Sequence, residues 1–173
     1  KLCLDTAISA SNMDCGGVYL VDGKTGSIKL AYHSGLSEEF IKAATYYDAG
    51  HPSTRLIMAG KPVYSRYDVL GVPMDETRRR EGIKVIAIVP FLHEGRVIGC
   101  LNIASHKIDE VQGFSRDVLE MVAFQMGSAI SRMQAREALW TSEEKHRMIA
   151  DLSQDIICTM GFDGVTTYAS PAV

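Results

Sequence analysis

The residues best suited to chemistry lie between positions 64 and 80, where aromatic, sulfur-containing and charged side chains are interspersed. Six of them are candidate ligand contacts: Tyr64, Ser65, Tyr67, Asp68, Met74 and Arg78. The tyrosines and the methionine offer apolar area with a polar or polarisable end, and the other three supply hydrogen-bonding groups. A mostly apolar pocket with a few converging polar groups is what small-molecule binding requires. An ordinary loop, with Tyr64 and Met74 in the core, would also explain the pattern.

Three consecutive arginines, residues 78–80, could in principle clamp a phosphate group. Asp75, Glu76 and Glu81 flank them, and this mixture of charges favours a solvated helix face with short-range ion pairs. Consecutive helical residues also point in different directions, so that one or two of the arginines at most could reach the same anion.

Cysteine and histidine are scattered along the chain, which argues against a catalytic or metal centre. Free thiols of a cytosolic protein are the expected state of the four cysteines, Cys3, Cys15, Cys100 and Cys158, because none has metal-type spacing. The five histidines, His33, His51, His93, His106 and His146, are all isolated and are expected at the surface. No Ser-His-Asp order, paired-carboxylate motif or phosphate-loop glycine pattern occurs, so the sequence predicts no catalytic residue and no metal ligand.

Composition restricts the class of protein further. The 173 residues are 46% hydrophobic and 23% charged, with a net charge of −3, so a basic nucleic-acid-binding surface is not expected. Residues 1–140 are charge-balanced, whereas residues 141–173 carry the whole acidic surplus. The longest apolar run, residues 85–92, is far shorter than the roughly 20 residues of a membrane span. We therefore expect a cytoplasmic segment without membrane contact, and, because the chain begins at Lys1, a piece of a longer protein.

Hydrophobic periodicity predicts a mixed α and β chain. We expect helices at residues 1–11, 37–44, 52–59 and 75–81, and strands at residues 18–21, 27–33, 62–65, 83–92, 96–105, 155–160 and 165–168. The first two strands and the pair at 83–105 each read as hairpins. A long helix is expected over about residues 115–149, with Ser115 as its N-cap and an apolar seam that continues to Met133 and beyond.

Residues 1–140 resemble a GAF domain, a small-molecule-sensing module of signalling proteins. The resemblance rests on residues 17–22, the Gly-Leu step at 35–36, the Gly-Lys-Pro-Val run at 60–63, and the paired segments 82–91 and 95–101. It implies an α+β fold with an antiparallel sheet and helices on both faces. It also implies that the ligand pocket is walled by residues 64–80 and the helix at 52–59, while the terminal helices cover the other face.

Residues 141–173 resemble the beginning of a PAS domain. The lead-in at residues 137–147 is followed in the expected order by Asp155, the Asp-Gly turn at 163–164 and Ser170-Pro171, where the family usually has Asn-Pro. GAF followed by PAS implies a multidomain sensor, and a sensor histidine kinase is the parent that we expect. These residues contain no kinase motif, so the output domain would lie elsewhere.

The sequence matches the signatures of the specialised, ligand-specific GAF subsets less well than it matches the general GAF pattern. The cyclic-nucleotide signature, Asn-Lys…Phe…Asp-Glu, is only partly matched by His106-Lys107, Phe114 and Asp117. His106 replaces the Asn, the spacing from Phe114 to Asp117 is one residue short, and Val118 replaces the Glu, although Lys107 could still pair with Asp117. Covalent bilin is not favoured because residues 16–99 contain no cysteine, and the same gap argues against methionine sulfoxide reduction. His51 and His93 are the first candidates if a haem is bound. No other cofactor is implied.

Two functions therefore remain open. In the first, a small ligand closes the 64–80 segment and the change passes through the long helix to a downstream output domain. In the second, the chain is a ligand-free dimerisation and transmission module. Both predict a homodimer through the terminal helices, with residues 133–148 paired against another chain.

Overall fold

The computed structural model describes residues 2–152 and 158–169. Its helices are α1 (Leu2–Ala10), α2 (Glu38–Ala44), α3 (Pro52–Met58), α4 (Glu76–Glu81) and α5 (Gly113–Leu152), with a 3-10 turn at Tyr67–Val69. Its strands are β1 (Cys15–Val21), β2 (Ile28–Ser34), β3 (Tyr46–Tyr47), β4 (Val63–Arg66), β5 (Val85–His93), β6 (Arg96–Ser105), β7 (Cys158–Met160) and β8 (Thr166–Ala169).

Six strands form one antiparallel sheet in the order β3-β2-β1-β6-β5-β4. The two predicted hairpins, β1–β2 and β5–β6, are both present, and pairing of β1 with β6 joins them into one sheet. The α+β architecture with an antiparallel sheet is therefore confirmed.

Side chains alternate along β5 and β6 and so divide the sheet into two faces. One face, here called the helix face, carries Val85, Ala87, Leu101 and Ile103; the other, called the pocket face, carries Ile86, Ile88, Cys100 and Ala104. All eight side chains are buried. The near-continuous apolar runs of β5 and β6 follow from this, because both faces of the two strands are covered.

Helices cover both faces. Helix α1 contacts β1, β2 and β6, and it buries Leu4 and Ala7. The first turns of α5 pack nearby, since the Ser115 hydroxyl donates to the carbonyl of Ser11 at 3.0 Å. On the pocket face, α3 contacts β5 and β6 and contributes Ile57 to the core.

Capping residues set the ends of the short helices α2 and α4. The Ser37 hydroxyl accepts from the backbone N–H of Phe40 at 3.2 Å, and Asp75 accepts from that of Arg78 at 2.8 Å. Helix α4 ends at Gly82, whose φ of 73° is the left-handed conformation that glycine adopts readily.

Two local predictions near α5 are wrong. The helix begins at Gly113, and Ser115 is not its N-cap, because the buried Ser115 hydroxyl is already used by the carbonyl of Ser11. Lys107 does not pair with Asp117. Its ammonium lies 4.0 Å from a carboxylate oxygen of Asp14, in an exposed contact of little energetic weight.

The chain divides into two compact units, residues 1–129 and residues 130–173. Helix α5 passes from the first into the second, which also holds the antiparallel pair β7–β8. The predicted strand at 155–160 is seen as β7 from residue 158 onward, while residues 155–157 and the Ser170-Pro171 step lie outside the described residues. Within the described ranges, no helix combines the length and the apolar character that membrane crossing requires.

Candidate ligand-binding site

A small cavity of about 50 Å³ lies on the pocket face of the sheet. Aromatic and aliphatic side chains dominate its wall, with one amide, as in Tyr19, Phe40, Tyr47, Tyr67, Ile88 and Asn102. A space of this size holds roughly one to three water molecules. A larger ligand would therefore need the covering segment, residues 67–83, to move outward.

Two tyrosines build one side of the cavity. The Tyr19 hydroxyl donates to the carbonyl of Ala44 at 2.8 Å, which ties β1 to the end of α2. The Tyr47 ring lies 6.0 Å from the Tyr19 ring, measured between centroids. Burial raises the pKa of Tyr19 well above its ordinary value, so this hydroxyl remains a neutral donor at physiological pH.

Arg78 is a charged group beside the cavity, and its side chain is only 7% exposed. One guanidinium nitrogen donates to the Tyr47 hydroxyl at 3.1 Å, and another is ion-paired with Asp75. The guanidinium carbon also lies 5.9 Å from the centroid of the Tyr47 ring. The prediction of a solvated face for residues 78–80 is wrong for Arg78, because a buried tyrosine from β3 and the capping aspartate satisfy it.

Tyr67 and Met74 lie on the same side of the sheet as Arg78. Tyr67 begins the 3-10 turn after β4, where its buried ring lines the cavity. Burial raises the pKa of Tyr67 to about 12, although the nearby Arg78 acts in the opposite direction. Met74 is partly buried against the core of the pocket face. Of the six candidate contacts, Tyr67 therefore lines the cavity itself, and Met74 and Arg78 lie on the same side of the sheet outside its wall.

The other three candidates lie apart from this group. Tyr64 points to the helix face, where its hydroxyl donates to Glu120 of α5 at 2.7 Å and the Arg116 guanidinium carbon lies 5.0 Å from its ring centroid. Asp68 is exposed and paired with Arg66 at 2.8 Å. Ser65 is half-buried and opposite Ile86 in the ladder, on the pocket face.

Sequence reasoning missed Tyr19, Tyr47 and Asn102 as cavity residues. The alternation in β1 could have indicated Tyr19, because it shares a face with Cys15 and Gly17. Asn102 lies opposite Gly17, and its side-chain oxygen accepts from the Cys100 thiol at 2.9 Å. Tyr47 belongs to a two-residue strand that gives almost no periodic signal.

The His51 ring packs against the Tyr47 ring, with 4.4 Å between the two ring centroids. Its Nδ1 accepts from the backbone N–H of Ser53 at 3.1 Å, so the imidazole serves as the N-cap of α3. Burial lowers the pKa of His51 below its ordinary value of 6.5, and the nearby Arg78 lowers it further. The neutral imidazole is the form that can accept this capping bond.

A pH-dependent loss of stability should follow from His51. Because its pKa is lower in the folded state than in the unfolded state, its contribution is complete above pH 6.5 and is lost as pH falls through the folded value. Urea unfolding at a series of pH values should show a steeper acid decline for the wild type than for His51→Asn, since asparagine keeps the cap without titrating. The His33→Asn control, at an exposed histidine, should follow the wild type; identical profiles for all three proteins would contradict the prediction.

The contact between Tyr64 and Glu120 should contribute modestly to holding α5 on the sheet. Removing the hydroxyl in Tyr64→Phe should lower the free energy of unfolding by about 0.5–1 kcal/mol, as expected for one partly exposed hydrogen bond. Chemical denaturation followed by circular dichroism measures this change. Tyr32→Phe, at an exposed position, should be neutral, and equal effects of the two substitutions would argue against the contact.

Comparison with known proteins places this geometry in a family. The GAF domain family matches residues 1–131. No match was found among curated protein sequences. A domain assigned to a two-component sensor histidine kinase from Sinorhizobium meliloti 1021 is similar in structure, with a TM-score of 0.64 and 23% identity, covering 79% of this chain and 92% of that one.

Two further solved structures share the fold at lower identity. The GAF domain of a phosphoenolpyruvate-protein phosphotransferase from Coxiella burnetii has a TM-score of 0.66 at 18% identity, covering 80% of this chain and 83% of that one. A GAF domain/HD domain protein from Geobacter sulfurreducens has a TM-score of 0.65 at 13% identity, with coverages of 77% and 90%. GAF domains are in general small-molecule-binding regulatory modules of signalling proteins. The chain belongs to the GAF domain family.

Proposed function

We propose that this chain is the sensory module of a signal-transduction protein, which binds a small ligand at the pocket-face cavity and relays the change through α5. The observation that carries the proposal is the cavity itself, whose mostly apolar wall includes Tyr19, Tyr47 and Asn102. The Tyr47 hydroxyl in turn accepts from the buried guanidinium of Arg78, which lies behind this wall. A wall of this kind suits a compact ligand with a flat apolar body and one polar end. Of the six sequence-predicted contacts, Tyr67, Met74 and Arg78 are the ones best placed to meet it.

Ligand entry would require the covering segment to move, because the cavity as it stands is too small for a metabolite. This movement would involve Arg78, because its hydrogen bond joins the covering helix α4 to Tyr47 on the edge strand β3. A ligand that binds the open arrangement more tightly than the closed one would shift the population toward it.

The binding step can be tested on the purified chain. Thermal shift across a panel of small metabolites, confirmed by native mass spectrometry, should give at least one ligand that stabilises the wild type and Arg79→Lys. The same ligand should stabilise Arg78→Lys much less, because lysine cannot keep the two contacts of the guanidinium. Bare polypeptide masses and no thermal shift for any compound would refute the binding proposal and leave the ligand-free transmission module.

The relay proposal rests on the second half of α5. Met133, Leu139 and Trp140 are exposed by 71%, 60% and 68%, which is unusual for so many large apolar side chains on one helix. Pairing of this segment with a second copy of the chain would bury them. The second candidate function, dimerisation without a ligand, is favoured by the same exposed residues.

The dimer is tested by light scattering. The wild type should have the mass of a dimer, and Trp140→Glu should shift it toward the monomer because a charge would be buried in the helix pair. Phe162→Glu, at a fully exposed position in the turn between β7 and β8, is the matched control and should stay dimeric. A wild type that is strictly monomeric would refute the proposal.

Three further parts of the proposal come from the sequence. The chain is cytoplasmic, residues 141–173 begin a PAS domain, and the parent protein is a sensor histidine kinase.

A further inference from the structure

A second cluster of chemically active side chains lies at one end of the sheet, where β1 begins and β6 ends. Asp14 and Cys15 precede and begin β1, and His106 directly follows β6. Cys15 is the ladder partner of Ala104, so antiparallel pairing brings Asp14 and His106, 92 positions apart, into contact. The ligand atoms of Asp14, Cys15 and His106 all lie within 4.8 Å of one another.

The spacing of these atoms is close to what a small divalent cation needs. In a tetrahedral zinc site, bonds of about 2.0–2.3 Å place neighbouring ligand atoms about 3.3–3.8 Å apart. Asp14 Oδ1 and His106 Nδ1 are now 2.8 Å apart, and would separate by roughly half an ångström to admit an ion between them. The 4.8 Å limit on the remaining separations leaves a closure of about 1 Å, which side-chain rotation can supply.

A buried carboxylate on the far side of the imidazole supports this arrangement. His106 Nε2 lies 3.6 Å from Glu81 Oε1, and the Glu81 side chain is only 4% exposed. If Nδ1 binds an ion, Nε2 carries the hydrogen and points toward this carboxylate. A carboxylate in that position orients a histidine ligand and makes it more basic.

Glu81 is itself held in place, and it links the cluster to two helices. Its Oε1 accepts from the backbone N–H of Ser37 at 3.1 Å, and its Oε2 accepts from the hydroxyl of the same residue. Glu81 ends α4 and Ser37 caps α2, so Glu81 connects the ends of both helices to the imidazole of His106. Ordering of His106 by an ion would therefore also fix the segment that covers the cavity.

The environment of Asp14 and Cys15 suits a cation as well. Asp14 Oδ1 accepts from the backbone N–H of His106 at 3.1 Å, and Oδ2 accepts from the Ser105 hydroxyl at 3.2 Å. The Cys15 side chain is fully buried beside Asp14, and its thiol proton must leave as the ion binds. Lys107 is the opposing cation, but its side chain is 80% exposed and can turn away. The exposed edges of Asp14 and His106 give an entry path to the buried sulfur.

We propose that Asp14, Cys15 and His106 bind one zinc-type divalent cation, with Glu81 as a positioning residue for His106. The mixture of one sulfur, one nitrogen and one oxygen ligand favours a borderline cation such as Zn²⁺ over Mg²⁺ or Ca²⁺, which prefer oxygen alone. Three protein ligands leave one tetrahedral position open, for water or for a small anion. The site is distinct from the cavity and does not depend on the ligand proposed for it.

Cobalt(II) provides a direct spectroscopic test, because a cobalt–thiolate bond gives an intense charge-transfer absorption. The background is the whole chain with Cys3→Ser and Cys158→Ser, which removes the two exposed thiols. One equivalent of cobalt should give the band, zinc should displace it, and binding should release about one proton. Binding should also raise the melting temperature.

Variants on this background separate a built site from nonspecific binding. Cys15→Ser should abolish the thiolate band, and His106→Gln should weaken binding by about tenfold or more. Glu81→Gln should weaken binding by about tenfold while leaving the shape of the band unchanged, as expected of a positioning residue. Cys100→Ser and His93→Gln should behave like the background. A folded background protein without the band, or a band that survives Cys15→Ser, would overturn the proposal.

Discussion

Gly35→Ala is expected to destabilise the domain by about 3 kcal/mol, the largest effect among the substitutions considered. Gly35 has a φ of +72°, a conformation that costs other residues about 1–2 kcal/mol. An added Cβ would also collide with the carbonyl oxygen of Asp14 and would lie 3.0 Å from the Cα of Cys15. Because the backbone of β1 cannot move without disturbing its ladder, the collision adds about 1–3 kcal/mol. Chemical denaturation measures the sum.

Two other glycines separate the causes of this effect. Gly71 has a φ of +78° with nothing near its Cβ position, so Gly71→Ala should show the conformational cost alone, about 1 kcal/mol. Gly113 has neither a positive φ nor a close neighbour, and Gly113→Ala should be neutral or slightly stabilising. If Gly35→Ala cost no more than Gly71→Ala, the close approach of residue 35 to β1 would be refuted.

Arg78→Met is expected to lower the free energy of unfolding by about 2–3 kcal/mol. The substitution keeps an unbranched apolar stem but removes the donor to the Tyr47 hydroxyl and the partner of Asp75. The buried hydroxyl would then lack its partner, which costs about 1–3 kcal/mol, whereas the half-exposed Asp75 can be hydrated. Urea denaturation of the purified chain gives the value.

A double-mutant cycle makes this prediction specific to the contact. Tyr47→Phe should partly offset Arg78→Met, because removing both partners leaves no unsatisfied buried hydroxyl. The two changes should therefore be less than additive. Arg79→Met, next in the chain and exposed, should stay within about 0.5 kcal/mol of the wild type. Strict additivity of Arg78→Met and Tyr47→Phe would show that the two side chains are not coupled.

Local signals in the chain predicted most of the fold. Ser37 and Asp75 are capping residues followed by acidic first turns, and both begin helices where expected. The apolar runs around the turn at residues 94–95 gave the central hairpin. These features depend on neighbours within a few positions, so periodicity and capping chemistry are enough to indicate them. Ser115 is the exception, because a residue 104 positions away, Ser11, decides where its hydroxyl bonds.

Two tyrosines show why the candidate site was only partly predictable from the sequence. Tyr64 and Tyr67 are three residues apart, and both were predicted to line the same wall of the ligand pocket. Tyr64 lies within β4 and follows the strand alternation to the helix face, whereas Tyr67 begins a 3-10 turn and returns to the pocket face. The end of the strand between them decides the difference, and strand ends are set by pairing with β5 rather than by local sequence.

The sequence by itself determined the α+β class, the two hairpins and the family, because each depends on short-range patterns of apolar, turn and capping residues. Only the tertiary structure decided that Arg78 is buried against Tyr47, 31 residues away, and that His106 meets Asp14, 92 residues away. The first contact arises where helix α4 packs against the edge strand β3, and the second arises where β1 pairs with β6. Packing and strand pairing between distant parts of the chain fix the partners of these side chains, and no local pattern records them.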